Sequence, residues 1–314
     1  MRNILLILLL FAMKISFTQD VHFSQNFANK MHYMPSEIGY LGDYDYRFSI
    51  QRRSQWESVS IPFSTTSISF EKSKIYKGVN LGVQFLNDIS GASKMTLNQI
   101  NLGISKGFDF NQINTFSLGL IIGINQKSIN YENLIFEQNE VLMLEKFMYS
   151  DIGLGVSFQA NKERVLRYNI GFSSYHLNNP NNSFNEDEDV YLPLRHNLNF
   201  GVNYRYRKNL ILNSELTIIN QGAQTEILIG IRPEIKSMKV SFFPFAYCRI
   251  NDAAIFGCGL LKDNIEANIT YDINFSDLVT ASKNKGGFEF SIIYMWKKKD
   301  RKVEVKEKIC PKYL

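Results

Sequence analysis

Cysteine, proline, tryptophan and histidine are all scarce in this chain, at 3, 7, 2 and 4 of 314 residues. Three cysteines, Cys248, Cys258 and Cys310, cannot make the framework of a disulfide-stapled secreted fold. Cys248 and Cys258 fall on successive predicted strands, and whether they face each other depends on a register left open here. Few prolines leave room for long strands, because proline lacks the N–H that a ladder needs. The histidines, His22, His32, His176 and His196, show no metal-ligand spacing, although His176 and His196 flank one loop and could approach at its base. There is no Gly-x-Ser-x-Gly elbow, no phosphate-binding glycine loop with lysine and no His-Glu-x-x-His. Neither an enzyme nor a cofactor or metal is therefore expected. Glu186-Asp187-Glu188-Asp189 lacks the alternating ligands and glycine of a calcium loop and reads as a solvated loop tip. The net charge of +5 is mild, and without a basic stripe or a binding motif nucleic acid is not an expected partner.

Aromatics are what the chain does have, with 16 Tyr and 24 Phe. Gly287 to Trp296 shows how they are used. Phe288, Phe290, Ile292, Tyr294 and Trp296 fall on one face of a strand, and Glu289, Ser291 and Met295 on the other. An apolar face tipped with aromatics, opposite a polar face, suits lipid outside and a polar lumen inside. The mean hydropathy of −0.17 is too low for a helical membrane protein but not for a barrel, where only alternate residues need be apolar. In such a barrel Ile292→Arg should be costly and Ser291→Arg cheap.

The amino terminus has the build of a secretory signal peptide: Met1-Arg2-Asn3, an apolar run from Ile4 to Met13, then small residues before a cut expected between Thr18 and Gln19. The run is too short to span a bilayer as a helix, and no later stretch is long and apolar enough to do so. Residues 1–18 are thus expected as signal peptide and 19–45 as a segment lying in the periplasm or folded into the lumen as a plug. Residues 46–297 are expected as an outer-membrane barrel and 298–314 as a basic periplasmic tail.

From Tyr46 onward strand-like runs succeed one another near 46–53, 64–72, 78–87, 96–107, 114–125, 151–160, 168–176, 195–206, 210–219, 224–234, 239–249, 253–262, 265–274 and 286–297. The fold expected is all-β, a transmembrane antiparallel barrel of about 14 strands, each long enough to cross when tilted. Tight, often charged turns such as 73–77, 161–164 and 207–209 alternate with long connections such as 54–63, 126–150 and 177–194. Those two sets suit a periplasmic and an outer side. This placement puts both mature termini in the periplasm. Gly78, Gly82, Gly119 and Gly123 suggest close approach or a bend in the sheet.

Several motifs, taken in order, resemble the PorP/SprF family of the Bacteroidetes type IX secretion system. They include Gln19-Asp20-Val21-His22-Phe23-Ser24-Gln25 at the mature start and Arg53-Ser54-Gln55-Trp56 after the first strand. Further along are Asp151-Ile152-Gly153-Leu154-Gly155 and Leu192-Pro193-Leu194-Arg195-His196. The closing Tyr271 to Leu278 followed by Gly286 to Ser291 is the nearest match. The chain departs from the family at Asn29-Lys30, where a proline often follows the asparagine, and at Glu57, where a proline often follows the tryptophan.

The resemblance implies an outer-membrane barrel working with the periplasmic ring of the secretion apparatus. It also implies a role in secretion or surface anchoring of particular cargo, including large gliding adhesins, or a place in the core machinery. Phe23, Gln25, Gln55 and Trp56 are the partner contacts it suggests. A general or substrate-specific porin is the alternative.

Overall fold

The computed structural model describes residues 20–55, 63–91, 94–111, 113–130, 145–162, 165–185, 189–275 and 285–298. One antiparallel sheet closes on itself, its last strand bonded to its first. In chain order its strands are β1 (Tyr46–Gln55), β2 (Phe63–Tyr76), β3 (Val79–Ser90), β4 (Met95–Asp109), β5 (Asn114–Ser128) and β6 (Lys146–Lys162). β7 (Leu166–Tyr175), β8 (Arg195–Arg207), β9 (Leu210–Gln221), β10 (Gln224–Ile231) and β11 (Glu234–Lys236) follow. β12 (Val240–Arg249), β13 (Ala253–Lys262), β14 (Ile265–Asn274) and β15 (Lys285–Trp296) complete the ring. β10 and β11 both lie between β9 and β12. They therefore fill one place in a ring of 14.

The ring follows from the alternation in each strand. In β15, Phe288, Phe290 and Tyr294 point outward and stay exposed, while Glu289, Ser291 and Ile293 are buried inside. Ile292 shares the outward face with them. Ile292→Arg is expected to lower barrel stability by about 2–4 kcal/mol if it sits near the membrane midplane, read as loss of heat-modifiable barrel. Ser291→Arg is not the cheap change that a water-filled lumen would allow. The Ser291 hydroxyl is fully buried and donates to Gln25 Oε1 at 2.6 Å, so an arginine there has no room.

The two rims differ. One carries tight connections such as Lys77-Gly78, whose φ values of 46° and 79° make the left-handed two-residue turn that matches strand twist. This turn end also holds the carboxyl end of β15, and an aromatic girdle in which Trp296 stacks on Tyr46 at 5.2 Å and on Tyr294 at 4.8 Å. The opposite rim carries the longer connections and is called the loop end below.

Two strand expectations shift. β6 starts at Lys146 instead of near 151, because it keeps pairing with β5 out to Ser128, beyond the alternating apolar band. The run near 224–234 is broken at Arg232-Pro233. The register also settles the cysteines. Cys248 sits opposite Ala254 and Cys258 opposite Pro244, so the two do not meet and both are free thiols.

Candidate functional site

Residues 20–44 have neither a strand nor a helix period, and their backbone stays out of the ladder, which Asp45 enters by bonding to Trp296 and Ser73. Short helical turns over Asn26–Ala28, Lys30–Tyr33 and Pro35–Glu37 use only part of its hydrogen-bonding capacity. The segment nonetheless lies almost wholly buried inside the barrel, with Phe23, Gln25, Ala28, Met31 and Ile38 at 0% exposure. Buried backbone groups need partners, and here the lumenal side chains of the wall supply them. The lumen is plugged by the chain's own amino-terminal segment.

At the loop end the plug is held by ions. Glu289 accepts the Ser24 N–H at 2.7 Å with one carboxylate oxygen and the Gln25 N–H at 2.8 Å with the other. The Gln51 amide donates to the same carboxylate at 2.7 Å and to the Gln25 carbonyl at 3.1 Å. Arg53 spans Glu289 at 3.0 Å and Asp272 at 2.7 Å, and also donates to the Ser24 hydroxyl. Arg249 reaches Asp272 at 3.3 Å and the Ser24 hydroxyl at 2.9 Å. Two arginines and two carboxylates, all buried, thus close around one serine. Charges out of water are tolerated when paired and hydrogen-bonded in this way.

Asp20 makes a second anchor at the same rim. Its carboxylate meets Arg195 at 2.8 Å and His176 Nε2 at 2.9 Å, while His176 Nδ1 faces Asp151 at 3.0 Å. Burial opposes charge on the His176 ring, but the carboxylates of Asp20 and Asp151 outweigh it and raise its pKa to about 9. Burial likewise works against the Asp20 carboxylate, and the charges of His176 and Arg195 still hold its pKa far below the ordinary value. The two ends of the pH scale therefore act with opposite sign. The Asp20 contribution is present above its ordinary value of 3.8 and is lost as pH falls. The His176 contribution is complete below 6.5 and is lost as pH rises through about 9. Amide exchange of residues 20–25, corrected for its intrinsic rate, is expected to quicken above pH about 9 in the wild type. His176→Asn is expected to abolish that step.

Farther down, Tyr175 donates to the Met31 carbonyl at 2.9 Å, and Ser173 and Asn197 to the Tyr33 carbonyl at 2.7 and 3.0 Å. Toward the turn end Arg47 donates to the Phe27 and Ala28 carbonyls at 3.0 and 2.7 Å and pairs with Glu71 at 2.6 Å. Glu71 in turn accepts the Gly39 N–H at 2.8 Å. The wall is scalloped to admit this chain. A Cβ at Gly82 would sit 2.7 Å from Met31 Sδ, and one at Gly119 would overlap the Pro35 carbonyl. Close approach, rather than a bend, accounts for those two glycines.

Of the expected partner contacts, Phe23 and Gln25 bind the barrel's own wall and are sealed from solvent. Gln55 ends β1 at the loop end, half-buried beside Gly287 and Phe63. Thr18, Gln19 and Trp56 lie outside the described residues, as does the tail beyond Lys298. His176 and His196 do not approach as ligands. His176 turns inward to Asp20, whereas His196 stacks outside on Phe172 at 5.9 Å. Of the plug-holding residues, Arg53, Arg195, Asp272 and Glu289 lie within the family-like motifs and Arg47, Glu71 and Arg249 outside them, and the sequence marks none of them as a plug contact. Their signal was a charge on the lumenal phase of an otherwise alternating strand.

Both mature termini, Gln19 and the tail after Lys298, lie outside the described residues, but the described stretches that lead to them reach opposite rims. Asp20 is tied to the loop end through Arg195 and Gln221, and β15 leaves the barrel at the turn end. The plug runs the length of the lumen, from Asp20 at the loop end to the start of β1 at the turn end.

A scan against family models matches residues 15–294 to the type IX secretion system membrane protein PorP/SprF. The chain belongs to the PorP/SprF family. A search of curated proteins finds no match. Among solved structures, this PorP/SprF barrel is similar to the CymD monoaromatic hydrocarbon channel, with a TM-score of 0.52 and 9% identity over 89% of this chain and 95% of that one. It is also similar to a Pseudomonas aeruginosa FadL homologue, with a TM-score of 0.51 and 8% identity over 83% and 92%. At such identities the likeness concerns the barrel fold alone.

Proposed function

We propose that this protein is an outer-membrane component of the type IX secretion system that assists secretion or surface anchoring of specific cargo, such as large adhesins of the gliding type. The observation that carries this reading is the occupied lumen. A barrel whose interior is filled and ion-paired to its own amino-terminal segment is poorly suited to passing solutes, so its working surfaces are its two rims. In this reading the signal peptide is cut before Gln19 and the turn end faces the periplasm. The basic run Lys297-Lys298-Lys299-Asp300-Arg301-Lys302 then meets the periplasmic ring. The loop end, with Gln55 and Trp56, meets the adhesin, since loops on a rigid scaffold carry recognition.

Surface proteomics of a deletion strain, complemented with wild type or Trp56→Ala, tests the role. Loss of one or a few large surface proteins is the expected result, and loss of every type IX cargo would make this a core component. An unchanged surface with altered uptake of a small solute would favour the porin. Orientation has its own test. An epitope inserted directly before Asp20 is expected to bind antibody on intact cells, while one fused after Leu314 is reached only after permeabilisation. The reverse pattern would invert the barrel.

A further inference from the structure

One seam of the wall misses a bonded rung. β10 pairs with β12 up to Ile231 opposite Ala246, and β11 resumes with Ile235 opposite Phe242. The register is the same on both sides of the break, so Pro233 lies directly opposite Pro244. Two bonds at the ends of this seam fix the phase. Ile250 N–H donates to the Ile227 carbonyl and Ser237 N–H to the Val240 carbonyl, each at 2.9 Å. Hydrogen-bonded pairs recur at every second residue of an antiparallel ladder. The proline pair therefore falls where both partners should donate, and neither has an N–H. Three residues of each strand, 232–234 and 243–245, pass without a cross-strand bond, so successive bonded pairs stand four residues, roughly 13 Å at the usual rise, apart. The flanking seams are intact. Arg232 and Lys236 donate to β9 and its turn at 2.8 Å, and β12 pairs with β13 along its whole length.

The lumenal side of this seam also differs from the rest of the wall. Phe243, Phe245 and Tyr247 of β12 point inward with Leu228 and Ile255, making an apolar patch in a lumen lined elsewhere mostly by polar groups. Below it, at the turn end, lies a cavity of about 450 Å³. Arg167, Arg205 and Glu215 line that cavity, and none of them makes an ion pair among the described residues. Arg232, the residue before Pro233, lies behind the seam. Its guanidinium rests on Phe27 of the plug at 4.1 Å and on Phe243 at 4.6 Å, and pairs with Glu266 at 2.8 Å.

We propose that the Pro233–Pro244 seam is a lateral portal through which an acyl chain of a zwitterionic phospholipid, from the leaflet at the turn end, enters the lumen while its headgroup occupies the cavity below the plug. The portal runs from lipid past the two proline rings to the aromatic patch, where the Arg232 guanidinium lies against Phe243 and is neutralised by Glu266. The headgroup phosphate is complementary to Arg167 and Arg205, which are diagonal neighbours on β7 and β8, and the ammonium to Glu215 across on β9. Arg232 couples the ligand to the plug, because the cation that backs the seam also braces Phe27.

Native mass spectrometry of the intact, detergent-purified barrel supplies the test. The wild type is expected to keep one phosphatidylethanolamine after mild delipidation. The double variant Arg167→Gln/Arg205→Gln, still heat-modifiable, is expected to lose occupancy on the order of tenfold or more. Pro233→Val/Pro244→Val, which restores two donors, is expected to slow exchange with added labelled lipid. In the wild type, phosphatidylethanolamine carrying a diazirine in its acyl chain is expected to label Phe243 or Phe245. Labelling confined to outward residues, or equal occupancy in the arginine variant, would mean annular lipid only and would overturn the portal.

Discussion

Deleting residues 20–42 is expected to turn a barrel that passes little current into a steady conductor, with planar-bilayer conductance rising on the order of tenfold. The size of the ring decides this. An interior of about eight strands is filled by its own side chains, whereas about sixteen leave an aqueous channel. With 14 places in the ring, the interior of this barrel is too wide for wall side chains alone to fill, and the plug supplies the missing volume. The wall should survive the deletion, because Arg47, Glu71, Arg195 and Glu289 would then face water instead of apolar surroundings. A milder variant checks the same idea without deletion. Gly119→Phe would place a ring where the Pro35 carbonyl lies, and should displace the middle of the plug while leaving its loop-end anchors in place. Unchanged conductance in both variants would mean that something other than residues 20–42 closes the lumen.

The sequence made the wall legible because each strand repeats one instruction, apolar outward and polar inward. That signal is local, and it placed the strands to within a few residues. It failed where the instruction stops. The first residues of β6, Lys146 to Ser150, carry no lipid-facing alternation, and only their pairing to β5 makes them strand. The break after Ile231 lay in plain sight as Pro233, but its meaning required Pro244 opposite, a matter of register.

The plug was harder to read for a physical reason. Its bonds join residues far apart in sequence, such as Ser24 and Glu289, 265 positions away, and no short-range pattern encodes such a pairing. Lumenal charges on strands could be read as polar wall. Their cost when buried shows only once the plug is seen to exclude water from them. The position of Asp20 has the same origin. No local pattern ties it to the loop end, and its partners Arg195 and Gln221 lie 175 and 201 positions away.

Glu289→Leu is expected to be the most damaging single change, lowering stability by about 3–5 kcal/mol in a heat-modifiability or denaturant series. The carboxylate it removes is shared by the Ser24 and Gln25 N–H groups, the Gln51 amide and the Arg53 guanidinium. Leucine leaves all of these donors buried, and Arg53 keeps Asp272 alone among its carboxylate partners. A missing partner costs more than a missing pair, since an unpaired buried cation bears its whole desolvation penalty. Glu289→Gln separates charge from shape. It keeps one acceptor oxygen, so it should hold the plug more weakly than wild type and better than leucine. The loss should also be local before it is global. Amide exchange should quicken first at Ser24 and Gln25, while Tyr33, held by Ser173 and Asn197 from the other side of the barrel, stays protected longer. Uniform loss of protection across the plug would show that the segment leaves the lumen as one unit. Full stability in Glu289→Leu would mean that Asp272 and Arg249 alone suffice to anchor Ser24.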